Sequence, residues 1–154
     1  HMPRRTYLIL PVVALVSACG SVEVKATSPT GEQLRECKAI IKALPKKLGG
    51  KSRVSVSGSP YALAWGAPPV VLRCGVGRPS NFDEALGCQS ANGMLWFVPS
   101  SAIDDQDSDV VMTSMGRSTN VEVTVPGQDR PPVDEMVAVG DVLEQTTTKV
   151  GDCA

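Results

Sequence analysis

From Asp104 to Val110 the chain reads Asp-Asp-Gln-Asp-Ser-Asp-Val, so Asp105, Asp107 and Asp109 set carboxylates at alternate positions. Alternate residues of a tight loop can turn oxygens toward one hard cation, and calcium loops of the EF-hand type begin this way. The rest of that pattern is missing. Val110 stands where the loop requires glycine, and Gly116 where it requires a bidentate glutamate. A solvated acidic loop is the first expectation. Asp105, Asp107 and Asp109 remain a weak calcium candidate, and no other metal site is indicated.

Other reactive constellations fall away in the same manner. Gly75-Val76-Gly77 has two glycines of a phosphate-cradling loop, but Arg78-Pro79 follows where a helix would have to start. Neither Gly-x-Ser-x-Gly nor Ser-x-x-Lys occurs. His1 is the single histidine, and His1-Met2 reads as a cloning scar with Met2 the natural start. Without it no Ser–His or Cys–His nucleophile can be assembled. No cofactor is expected. Paired carboxylates remain available in an acidic half of the chain, which keeps a carboxylate enzyme acting on a glycan or cell-wall component as the alternative to a non-enzymatic module.

The remaining candidates for touching a ligand are Trp65, Arg73, Arg78, Trp96 and Arg117. Two tryptophans beside arginines could line a shallow site for a sugar or an anion. The competing reading puts both tryptophans in the core, since aromatic residues make up only 4% of the chain, with the arginines paired to carboxylates.

The elements that must carry these residues follow from periodicity. Thr30-Gly31-Glu32-Gln33 predicts a capping box. Leu34, Cys37, Ile41, Leu44 and Leu48 then form a helical stripe, shortened or bent by Pro45 and ended by Gly49-Gly50. Arg35, Lys38, Lys42 and Lys46 give the helix a basic face, read either as solvated or as facing anionic head groups. Strands are predicted over 53–59, 61–65, 70–74, 94–98, 110–115 and 121–125, with loops at 79–92 and 100–109. Pro131-Pro132 opens a last helix whose apolar side is Val133, Met136, Val137, Val139 and Leu143. The expected fold is α+β: a single small domain with a largely antiparallel sheet packed against an N-terminal and a C-terminal helix.

Ahead of this domain lies an export signal. Arg4 and Arg5 precede an apolar run from Tyr7 to Ala18 that is too short to span a bilayer comfortably. Val16-Ser17-Ala18-Cys19-Gly20 has the small-residue-then-cysteine form of a bacterial lipobox, with cleavage near Ala18 and an unmodified Cys19 as the other reading. The expected division is a signal peptide over 1–18, a lipidated Cys19 and polar tether over 19–29, and the globular domain over 30–154. With Cys19 assigned to lipid, Cys37, Cys74, Cys88 and Cys153 form an even set in an oxidising compartment. Of the three pairings, Cys74–Cys88 and Cys37–Cys153 are expected. No Cys-x-x-Cys spacing suggests redox or zinc chemistry.

Net charge is −1, which offers no global attraction to nucleic acid. Its distribution is uneven. Residues 19–80 hold ten Lys/Arg against three Glu, and residues 81–154 hold three against thirteen acidic residues.

Trp65 to Pro79, written W-G-x-P-P-x-x-L-R-C-G-x-x-R-P, resembles the signature of an uncharacterised actinobacterial exported family, domain of unknown function 3515. Cys37 with Ala43-Leu44-Pro45, Gly93 to Trp96, Gly116-Arg117 and Val121 to Pro126 match its other landmarks, so the likeness spans about residues 34–145. It implies a secreted or lipid-anchored envelope protein on the outer face of the plasma membrane, and it assigns no catalytic residue. The expected partners are the membrane, through Cys19, and an envelope protein or a cell-wall glycan.

Overall fold

The structure, a computed structural model, describes residues 1–3 and 20–154. The apolar run expected to be a signal peptide and Cys19 lie outside the described residues.

Helix α1 spans Gly31–Ala43. Thr30 holds the extended N-cap conformation, but no side-chain bond caps the helix, so the expected capping box does not form. The buried stripe is Cys37, Ile40 and Leu44 in place of a run through Ile41 to Leu48. Pro45 explains the early stop, because a residue before proline is pushed out of the helical region. Leu44 accordingly adopts ψ 141. Gly49 and Gly50 do not end the helix. They take φ 56 and 77 and turn strand β2 (Lys47–Leu48) into β3 (Lys51–Val54).

The remaining elements are β1 (Val22–Glu23), β4 (Val56–Ser57), β5 (Ala62–Trp65), β6 (Val70–Cys74), β7 (Gln89–Ala91), β8 (Met94–Phe97), α2 (Ser100–Asp104), β9 (Val110–Met115), β10 (Val121–Val125), a 3-10 turn (Gly127–Asp129) and α3 (Val133–Thr146). The fold is α+β. Its sheet has eight strands in the order β2-β3-β5-β6-β10-β9-β8-β7, every neighbour antiparallel. Two meanders, β3-β5-β6 and β7-β8-β9-β10, are thus joined at the β6–β10 seam. β7 falls within the segment expected to be loop, and the strand expected over 53–59 is divided between β3 and β4.

Alternation builds the inner face of the seam. Val70, Leu72 and Cys74 of β6 and Val121, Val123 and Val125 of β10 are fully buried. They share one core with Trp65, Trp96, Met112 and the buried sides of α1 and α3. Helix α3 contributes Met136, Val139, Val142 and Leu143, whereas Val133 is 53% exposed. Gly140 lets α3 approach the sheet, since a Cβ there would lie 3.2 Å from Met94 Cβ. On the other face Phe82 packs against Phe97 at 5.0 Å between ring centroids.

Two expectations about connections need correction. Residues 20–29 are not a free tether. β1 pairs in parallel with β4, Val24 is buried, and Thr27 donates to the Cys74 carbonyl at 2.6 Å. The four domain cysteines do form two disulfides, but they are Cys37–Cys74 and Cys88–Cys153. Cys37 faces the sheet from α1 directly over β6, which leaves the tail cysteine to close on the 75–88 loop. The Cα atoms stand 5.6 and 5.8 Å apart, ordinary disulfide spacing. Two such bonds fit an exported protein.

Each bond closes a long loop, of 37 and 65 residues. Chain entropy assigns each about 4 kcal/mol. Non-reducing peptide mapping is expected to recover 37–74 and 88–153 as the linked pairs, and Cys37→Ala with Cys74→Ala should destabilise the domain by about 2–4 kcal/mol in urea melts. A linked peptide joining 74 to 88 would contradict the arrangement.

Candidate functional site

The residues expected to meet a ligand are spread over the molecule and mostly occupied. Trp65 and Trp96 have no exposed surface. Trp65 donates to the Pro45 carbonyl at 3.0 Å and carries the Arg53 guanidinium over its ring at 5.7 Å. Trp96 fills the core, with its Nε1–H buried and without an acceptor. Neither ring can face a sugar. Arg73 forms a two-pronged pair with Glu122 across the seam, at 3.0 and 2.8 Å, and reaches the Lys25 carbonyl. Arg117 ties down the end of α3, donating to Thr147 Oγ1 at 2.9 Å and to the Thr147 and Leu143 carbonyls. Arg78 alone is exposed, stacked on Phe82 at 4.2 Å.

The acidic loop is organised by hydrogen bonds of its own. Asp105 Oδ1 accepts from the Asp107 amide and Asp109 Oδ1 from the Gly127 amide, at 3.0 and 2.9 Å. Among the described residues no group of three or more His, Cys, Asp or Glu is placed to hold a metal ion. Of the carboxylates that suggested calcium, Asp105 caps a turn of the loop and Asp109 ties it to Gly127.

Arg130, which the sequence analysis did not single out, sets this loop in place. Its guanidinium donates to the carbonyls of Asp105, Ser108 and Ala102 at 2.9, 3.1 and 2.8 Å. Gly127 closes the contact from the opposite side, since a Cβ there would collide with the Asp107 carbonyl. The clamp leaves two cavities that meet at Asp107 and Gly127. One, of about 620 Å³, is lined by Gln89, Ile103, Gln106, Arg130 and Pro131-Pro132 among others. The other, of about 410 Å³, lies against Pro68-Pro69, Val71 and Thr124. Together they form a cleft at the end of the sheet where β8 and β10 stop and β6 and β9 start. The diproline of the Trp65–Pro79 segment therefore does help to build a candidate site, as a wall of it.

A second polar cluster lies under the β2–β3 turn. Lys51 pairs with Asp129 and donates to the Pro68 carbonyl at 2.6 Å. Glu135, on the first turn of α3, is only 4% exposed. Its carboxylate packs where a side chain on Gly49 would be, 2.5 Å from the position of such a Cβ. Burial raises its pKa above the usual 4.5, and nearby Asp134 and Asp129 raise it further, against the opposing pull of its own amide and of Lys51. A raised native pKa means that ionisation opposes folding. Stability is full below the ordinary carboxylate range and declines as pH rises through the native pKa. Proline and glycine flanking Asp129-Arg130 were the only sequence signals for this region, and they mark turns without naming what the turns hold.

Two measurements follow. Arg130→Ala should lower stability by about 2 kcal/mol and speed amide exchange at 102–109, because several carbonyls lose a charged donor together. Unchanged exchange in that loop would remove the clamp. Urea melts of Glu135→Gln across the acid-to-neutral range should show a smaller loss of stability above pH 4.5 than the parent chain. Parallel profiles would show that Glu135 ionises freely.

No curated protein and no solved structure matches the chain. The model of the family described as Protein of unknown function (DUF3515) matches residues 7–150. That match takes in the apolar run at 7–18, three of the four disulfide cysteines and every element from β1 to α3, and the chain belongs to the DUF3515 family.

Proposed function

We propose that this protein is an exported envelope module, held at the membrane by a lipid on Cys19, that binds a ligand or partner in the cleft between the segment that ends α2 and leads into β9 (102–109) and the 127–132 segment. The observation that carries the reading is the cleft itself. Its wall is a loop fixed by three charged hydrogen bonds from Arg130, and its floor combines amides, proline faces and the partly exposed Ile103. Pre-set polar groups among apolar surface are what a recognition site needs.

The alternative, a carboxylate enzyme, draws on Glu135, whose raised pKa beside Asp129 suits a general acid. It is the weaker reading, because Glu135 is buried under Gly49 and is not part of either cavity wall. The cysteines of the domain are in disulfides, which removes them as nucleophiles. Anchoring rests on the small-residue-then-cysteine form at 16–20, and the disulfides are consistent with an exported domain.

A photo-crosslinking residue in place of Ile103 should capture an envelope component in whole cells, and the same residue in place of Val150, which is 68% exposed and away from the cleft, should not. Equal labelling at both positions would argue against the cleft. Cys19→Ala should move the protein out of the membrane fraction, and retention there would argue against the anchor.

A further inference from the structure

The outer edge of the sheet, opposite the β7 edge, carries a second concavity. A groove of about 570 Å³ is lined by Lys46, Lys47, Ser52, Arg53, Val54 and Ser55. Three of its six lining residues are cationic, and none is acidic. Lys46 and Lys47 are exposed, and among the described residues neither they nor Arg53 has a carboxylate partner. Arg53 is pinned by bonds from one nitrogen to the Leu44 and Pro45 carbonyls at 2.8 Å, which leaves its buried Nε–H without an acceptor. The buried Nε–H is out of reach of the groove, so Arg53 contributes its fixed positive charge, and the exposed Lys46 and Lys47 ammonium groups beside it supply the donors an oxyanion needs.

The docked N-terminal segment says which oxyanion can reach it. The Val22 amide donates to the Ser55 carbonyl at 2.8 Å, so the chain arrives at the groove's own rim. Only Gly20 and Ser21 separate β1 from Cys19. Three Cα steps span at most about 11 Å. A lipid on Cys19 would therefore hold this edge against the bilayer surface, within reach of the head groups. Lys38 and Lys42, exposed on the helix that leads into Lys46, add to the same basic segment. The nearest carboxylate along β1, Glu23, pairs with Ser57, beyond the lining residues.

We infer that the Lys46–Lys47–Arg53 groove is a binding site for the phosphate of anionic phospholipid head groups, which seats the domain on the membrane by its β2–β3 edge. This deepens the anchored reading and rests on it for orientation. It accounts for a basic edge that the core and the cleft do not use.

Amide exchange on the full chain tests it, with vesicles of phosphatidylcholine alone or mixed with phosphatidylglycerol. Each cation near an anionic surface adds about fivefold to partitioning. The mixed vesicles should slow exchange over residues 44–57 by about tenfold or more, less so at high salt. Lys46→Glu with Lys47→Glu, both on exposed side chains, should abolish the effect while melting like the parent. Lys46→Gln with Lys47→Gln stands in if the reversal does not fold. Equal exchange with both vesicle types would overturn the inference. Protection reproduced by millimolar inorganic phosphate without vesicles would overturn it as well, in favour of a site for free anions. Intact mass at Cys19 is read separately. An unmodified cysteine would remove the anchor while the vesicle comparison still decides the groove.

Discussion

Strands β6 and β10 are far apart in the chain, yet their antiparallel pairing holds the two meanders in one sheet. Every other neighbouring pair in the large sheet is a hairpin or a short connection. This seam closes over a long excursion, so loop entropy opposes it until side chains repay the cost. Six buried side chains do so on the inner face. On the outer face Arg73 and Glu122 sit directly opposite each other and form the two-pronged ion pair. A cross-strand charge pair of this kind adds about 0.2–1 kcal/mol, and the register is fixed by the buried alternation, since a slip of one residue would turn the buried side chains outward. The Cys37–Cys74 bond then joins the seam to α1 at the end of β6.

Both the cleft and the basic groove depend on that seam. The cleft lies where β6 begins and β10 ends, and the segment leaving β10 passes through Gly127 to Arg130, whose guanidinium shapes the acidic loop. The basic groove lies two strands away, at the edge formed once Pro45 has stopped α1 and sent the chain into β2. The N-terminal segment adds β1 to β4 beside that edge. A segment expected to be a polar tether is therefore docked on the domain, held by two backbone pairs and the Thr27 bond.

Arginine roles show why the candidate site was harder to read than the fold. Arg73, Arg78, Arg117 and Arg130 look alike in sequence. In the structure one crosses a sheet, one stacks on an aromatic ring, one ends a helix and one shapes a cleft. The partners of Arg117 and Arg130 include backbone carbonyls from segments that approach only after folding. Trp65 and Trp96 show the same limit from the other side. Their types suit sugar binding, but in a chain with few aromatics the core claims the large rings first.

Local pattern by itself determined β6, β9 and β10 to the residue, because alternation of buried and outward side chains within five or six positions is set by the geometry of a strand. It also determined that there are two flanking helices, that the fold is α+β and that four cysteines pair. Tertiary structure alone decided which cysteine meets which, since pairing follows distance in space and α1 lies over β6. It alone decided that the 20–29 segment docks, that Glu135 is buried beneath a glycine turn, and that Arg130 shapes the cleft. Each of these needs two parts of the chain to meet, and no window along the sequence contains both.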